Sequence, residues 1–188
     1  ITLTDIHGDG TTDTTDLDID GGAISVQGIG QTGAKDEING VDINGSGGIT
    51  LNGSIFTAGT GNNVGFTGAV ALATGDILID TSTSNGTVDF STTLDGTQNL
   101  DILSGSGQVT ITGNIGTSNA LTSLDINQTA GTGNIRILGN IGADGTSGAG
   151  VVRLGNDSNT GTITFGTSGT EGEYFTTGAQ TYIADGLS

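Results

Sequence analysis

The sequence predicts an all-β chain wound as a single-stranded parallel β-helix, a β-solenoid of about eight coils with about 21–26 residues each. Three observations carry this. Apolar pairs flanking one other residue, the period-two mark of a half-buried strand, recur along the chain. They form two interleaved series with one shared period. The stretch Leu100–Ile126 (LDILSGSGQVTITGNIGTSNALTSLDI) echoes Leu17–Ile43 (LDIDGGAISVQGIGQTGAKDEINGVDI) at an offset of 83 residues.

The first series is Leu17/Ile19, Val41/Ile43, Val64/Phe66 and Val88/Phe90, with starts 24, 23 and 24 residues apart. The second is Ile1/Leu3, Ile24/Val26, Ile49/Leu51 and Val70/Leu72, spaced 23, 25 and 21. Two series with one period place at least two strands in each coil. A coil of this length is too long for a tight solenoid with five- or six-residue faces.

A template runs through ITLTDIHGDGT, ITLNGSIFTAGT and IRILGNIGADGT, starting at Ile1, Ile49 and Ile135. Each copy has two inward apolar residues, a bend, one more Ile and a Gly-Thr turn. Gly53 and Gly139 occupy the bend in two copies and Asp5 in the first, and a need for positive φ would explain the glycines. Asn-Gly pairs at Asn39, Asn44, Asn52 and Asn85 punctuate further corners on the same expectation. Past Ile126 the copies drift. Ile77/Ile79 followed by Val88/Phe90 returns as Val152/Leu154 followed by Ile163/Phe165, at an offset of 75 rather than 83. The tail TTGAQTYIADGLS, from Thr176, resembles GTQNLDI at Gly96.

Residues 1–188 therefore read as one β-solenoid segment with a super-repeat over 17–99 and 100–183. The lack of Met and the opening on ITLT in mid-pattern are those of a piece of something longer. With eight coils at ~4.8 Å of rise the rod would be ~40 Å long. Equivalent residues should stack, Phe66 beneath Phe90, and the two end coils should present bare strand edges, which invite pairing.

Composition bounds the function. The chain has 37 Gly, no Pro, Cys, Met or Trp, and seven Phe and Tyr together (5 + 2), which suits a long thin core. Twenty Asp and Glu against three Lys and Arg give a net charge of −17. That excludes nucleic acid and anionic lipid as partners, both of which need clustered basic groups. No apolar run is long enough for membrane insertion. The absence of Cys fits a Gram-negative secretion route and the cytosol alike.

The strings GTQNLDILSGSGQVTITGNIG, ALTSLDI, GNIRILGNIGADG and TTGAQTY resemble the repeats of giant bacterial surface adhesins related to filamentous haemagglutinin. The resemblance covers most of residues 17–183 and is strongest from Thr87 to Gly145. It implies a right-handed parallel β-helix, export to the cell surface, and service as an adhesin shaft or extracellular filament. The secretion domain that opens such proteins is not among these residues.

For local chemistry, DIHGDGTTDTTD reads as a twelve-residue calcium loop. Asp5, His7, Asp9, Thr11 (through its carbonyl), Asp13 and Asp16 would supply oxygen or nitrogen ligands, with Gly10 at the sharp turn. It resembles the dockerin loop, which also ends on Asp. Against this, His stands at the third position, no helix flanks the loop, and the equivalent turn at Ile141–Gly145 carries only Asp144. A polar turn is the simpler reading.

Asp18, Asp42, Asp89, Asp101 and Asp125 each sit at the outward middle of an apolar-Asp-apolar strand. Asp18 should stack on Asp42, and Asp101 on Asp125. Opposed like charges destabilise a sheet, so either solvent and salt screen them or cations bridge them. The Thr-x-Thr pairs Thr2/Thr4, Thr110/Thr112 and Thr162/Thr164 do not line up into the flat array an ice-binding face needs. No enzyme is expected: Lys35, Arg136 and Arg153 are scattered over different coils, and no recognisable motif offers His7 a candidate Ser or Cys nucleophile.

These readings lead to a structural, adhesive segment of a secreted surface protein, located outside the cell. Its partner is more of the same chain or a second copy end to end, and any host or cell-surface ligand is unnamed by the sequence. A filament subunit polymerising through open coil edges and a calcium-dependent binding module are the alternatives.

Overall fold

Alternation leaves each short strand one apolar side to bury, and winding buries it against the other strands of the same coil. The computed structural model describes residues 1–4, 6–7, 16–30, 38–58, 62–143, 146, 148–158, 161–167 and 172–188. It shows a parallel β-solenoid in which every coil has three faces, where the sequence periodicity had revealed two.

The first rung consists of β1 (Thr2–Leu3), Ile6 and β2 (Leu17–Gly21), and the second of β3 (Ile24–Val26), Ile29 and β4 (Val41–Gly45). The third is β5 (Ile49–Leu51), β6 (Ile55–Phe56) and β7 (Val64–Thr67). The fourth is β8 (Val70–Leu72), β9 (Ile77–Asp80) and β10 (Val88–Phe90). The fifth is β11 (Leu94–Gly96), β12 (Asn99–Leu103) and β13 (Val109–Ile111). The sixth contains Ile115, β14 (Leu121–Ile126) and β15 (Ile135–Ile137), and the seventh Ile141, β16 (Ala149–Leu154) and β17 (Thr162–Phe165). Tyr174, β18 (Gln180–Tyr182) and β19 (Gly186–Leu187) form the eighth.

All strand pairs are parallel. The third face is an eight-stranded sheet from β2 to β19. The first face is the five-stranded sheet β1-β3-β5-β8-β11, extended by bridges from Leu94 through Ile115 and Ile141 to Tyr174. The second begins as bridges through Ile6, Ile29 and Ile55 and becomes a six-stranded sheet ending on β18. Eight rungs are seven steps (8 − 1), so the expected eight coils amount to about seven full turns. The last steps are longer than the expected range: Ile135 pairs with Ile163 and Val152 with Gln180, each 28 residues on (163 − 135, 180 − 152), and Ile141 bridges to Tyr174, 33 on (174 − 141).

Registry revises the repeat. Leu17 lies on the third face and Leu100 on the second, so the 83-residue echo does not place like over like. The 75-residue offset does, since Ile77, Leu100, Leu124 and Val152 form one inner column over four rungs, three steps apart. Likewise Ile1 and Ile49 open the first face, whereas Ile135 sits on the third. The tail follows GTQNLDI faithfully, with β18 on the face of β12.

The core is one continuous apolar cluster running the length of the winding. Phe66 and Phe90 stack in it, as expected. Towards the last rung the aliphatic filling gives way to Phe165 with Tyr174 and Tyr182, packed edge to face at centroid distances of 5.0 and 4.9 Å.

Gly53 and Gly139 are needed for space rather than for φ, whereas Gly30, Gly116, Gly142, Gly155 and Gly166, just past a strand or bridge, do have positive φ. A Cβ on Gly53 would lie 1.5 Å from the Gln27 carbonyl oxygen, one on Gly139 2.3 Å from that of Gly113, and neither residue has positive φ. Of the four Asn-Gly asparagines only Asn85 is left-handed, with φ 61°.

Candidate functional site

The outward side chains form columns, because each strand sits in register above the last. On the third face the column runs Asp18, Asp42, Gly65, Asp89, Thr110, Arg136, Thr164. Asp18 and Asp42 are directly paired, as the spacing required. Asp89 escapes a like neighbour: it lies between Gly65 and Thr110, and its Oδ2 accepts the Thr87 hydroxyl at 3.0 Å.

The second face carries the densest polar arrangement, two adjacent columns flanking a shallow groove of about 530 Å³. One column is self-satisfied: Ser123 Oγ donates to Asn99 Oδ1 at 2.9 Å, and Asn99 Nδ2 donates to Asp76 Oδ1 at 2.8 Å. In the other, Asp101 pairs with Asp125, and Asp125 pairs with Arg153 on the rung beyond. Arg153 Nη1 reaches Asp125 Oδ1 and Oδ2 at 2.8 and 3.0 Å, so one of the two stacked carboxylates has its own counter-ion.

Asp101 has none. Burial, and then the charges of Asp125 and Asp80, push its carboxyl above the ordinary 3.8, against a lowering hydrogen bond from the Ile102 amide. The screening-or-cation alternatives drawn from the sequence thus omit what happens at this pair, a covalently supplied cation one rung away.

Of the expected calcium ligands, Asp5, Asp9, Thr11 and Asp13 lie outside the described residues, as does Asp144 of the comparison turn. His7 is exposed beside the Ile6 bridge. Asp16 enters β2 and accepts a hydrogen bond from Asn39 Nδ2, one rung on, at 2.6 Å. Among the described residues no three His, Cys, Asp or Glu side chains converge as a metal site. No helix of the described residues is long and apolar enough to cross a membrane.

A second polar feature escaped sequence reading. Thr57, Thr81 and Ser104 are buried where the second face turns into the third, and their hydroxyls donate to Asn62 O, Gly86 O and Gly107 O at 2.8, 2.7 and 2.7 Å. Asn127 closes the series, buried, with φ 50° and its Oδ1 accepting the Ser104 amide at 2.9 Å. For Thr81 and Ser104 the available signal was a hydroxyl residue just after an apolar strand, followed within five residues by Gly-x-Val; Thr57 lacks it. Each hydroxyl satisfies a carbonyl that the tight corner leaves without a ladder partner.

What this chemistry can do is tie rung to rung. No family model, no curated protein and no solved structure matches the chain.

Proposed function

We propose that the chain is a β-helical structural segment of a secreted bacterial surface protein, the shaft of an adhesin that projects or spaces its binding regions. One observation carries the reading. The polar side chains that could have gathered into a reaction site bond instead to the neighbouring rung, as in Asn39–Asp16, Asn99–Asp76, Ser123–Asn99 and Arg153–Asp125. A catalytic or ligand site concentrates donors and acceptors at one place. Here they are spread along the axis, where they resist sliding of one coil on the next. The likeness to filamentous-haemagglutinin repeats supports the surface location, and the acidic sides suit a solvated extracellular rod.

Antibodies raised against the chain test this on intact cells of the native source. Surface labelling that disappears when external protease is applied is the expected result. Labelling only after lysis would overturn the reading.

A further inference from the structure

We propose that the groove on the second face binds an alkylammonium group, with Asp101 as the carboxylate that receives the charge and Leu78 as the surface for the carbon stem. Asp101 is the exception to the rung-to-rung bonding described above, and the site does not depend on the shaft reading. Its acidic neighbours are all satisfied within the chain. Asp76 accepts Asn99 Nδ2 at 2.8 Å, and Asp125 accepts Arg153. Asp80 accepts the Ser82 amide and hydroxyl at 2.9 and 2.6 Å. Asp101 has only the amide of Ile102.

Among the described residues two covered side-chain oxygens have no hydrogen-bond partner, Asn62 Oδ1 and Asp101 Oδ1. Asn62 is buried whole in its corner, whereas Asp101 lines the open groove. A carboxylate with one oxygen out of water and unbonded is costly to keep charged. It has also lost part of its hydration already, so a cation docking there displaces less water than at an exposed aspartate. Its titration carries the same mark, since burial and then the charges of Asp125 and Asp80 move it above the ordinary 3.8. A bound cation offsets both costs.

Geometry selects the kind of cation. A metal ion needs several converging oxygens, and among the described residues no three His, Cys, Asp or Glu side chains converge. A guanidinium pairs best with both oxygens of a carboxylate, and one of those of Asp101 is covered. A primary ammonium is a point charge that a single oxygen can hold, with water on its other protons. The outer column Leu78, Asp101, Asp125, Arg153 sets the direction. The Arg153 guanidinium occupies the Asp125 side and repels a second cation, so the stem leaves over Leu78, a half-buried apolar side chain that lines the groove. At about 530 Å³ the groove has the size of a small-ligand site, and the net charge of −17 draws cations to it. Free aliphatic amines and lysine side chains share this chemistry.

The test titrates the isotope-labelled 188-residue chain with n-butylammonium chloride at neutral pH and constant ionic strength, read by amide NMR. Saturable shifts at Leu78, Asp101 and Ile102 are expected, with a dissociation constant on the order of millimolar. The butylguanidinium ion should bind several-fold more weakly. Asp101→Asn, which removes a charge the fold disfavours, should weaken binding at least about tenfold. Leu78→Ser should weaken it about threefold. Asp89→Asn, which removes the same charge from the third face, should leave it unchanged. Shifts that spread over Asp18, Asp42 and Asp89 without saturating are plain screening and overturn the proposal, as does Asp101→Asn binding like wild type. Putrescine and a capped lysine tripeptide separate the sources: the tighter binder names the source, and saturation by neither overturns the site.

Discussion

Phe66 lies under Phe90 with ring centroids 4.7 Å apart and planes 25° from parallel, although 24 residues (90 − 66) separate them in the chain. Both are buried, at 1% exposure. One full turn of the winding returns the chain to the same place one strand spacing higher, and the pair is the plainest record of it.

Removing either ring should therefore be costly. Phe66→Ala or Phe90→Ala is expected to destabilise by about 3–5 kcal/mol, since the winding holds the cavity open. A double-mutant cycle should show coupling of about 0.5–1.5 kcal/mol from the ring contact itself. Denaturant unfolding of the four species measures both.

The corner glycines separate by space. A Cβ on Gly107 would lie 2.1 Å from the Gly86 carbonyl oxygen, whereas one on Gly22 meets nothing within 4 Å. Gly107→Ala should cost about 1–3 kcal/mol through forced backbone movement. Gly22→Ala should be neutral or stabilising by up to about 1 kcal/mol, through loss of unfolded-state freedom. Equal melting shifts for the two would refute the close-packing account of the corners.

Asp101 gives a pH dependence with a definite sign. Its carboxyl titrates above the ordinary 3.8 when folded, because burial and the neighbouring Asp125 and Asp80 disfavour its charge. The fold thus binds this proton more tightly than the unfolded chain does. The resulting stabilisation is fully present below the unfolded value and is lost as pH rises through the folded one. Asp101→Asn should melt higher than wild type at neutral pH, and the gap should close in acid. A gap of constant size would mean that ionisation plays no part.

Calcium is to be tested at the loop between Ile6 and Leu17. If DIHGDGTTDTTD is a ligand set, titration calorimetry should give tight one-to-one binding that Asp9→Ala abolishes. Heat that survives the substitution rules the loop out. Screening of the Asp18–Asp42 pair instead predicts a modest rise in melting temperature with divalent ions, without fixed stoichiometry.

The parallel winding was legible from local pattern because strand alternation and spacing are written in neighbouring residues. Leu17/Ile19, Val41/Ile43, Val64/Phe66 and Val88/Phe90 did land on one face, in register. The second face hid because its early rungs are reduced to single bridges at Ile6 and Ile29, too short to alternate. The echo of Leu17 in Leu100 misled for a related reason: Leu-Asp-Ile suits any face of the coil, so similarity of strand chemistry does not fix position. Only the 75-residue offset, which looked like a departure, spans whole turns.

The sequence by itself determined the class of fold, the half-buried strands and the acidic exterior, since each depends on residue type and short-range order. Tertiary structure alone decided that a coil has three faces, that Arg153 neutralises Asp125 from 28 residues away (153 − 125), and that glycine is needed where one corner rests on another. These follow from how far apart in the chain two stacked residues lie. That distance is the summed length of the strands and corners of one turn, which stacking, and not local preference, selects.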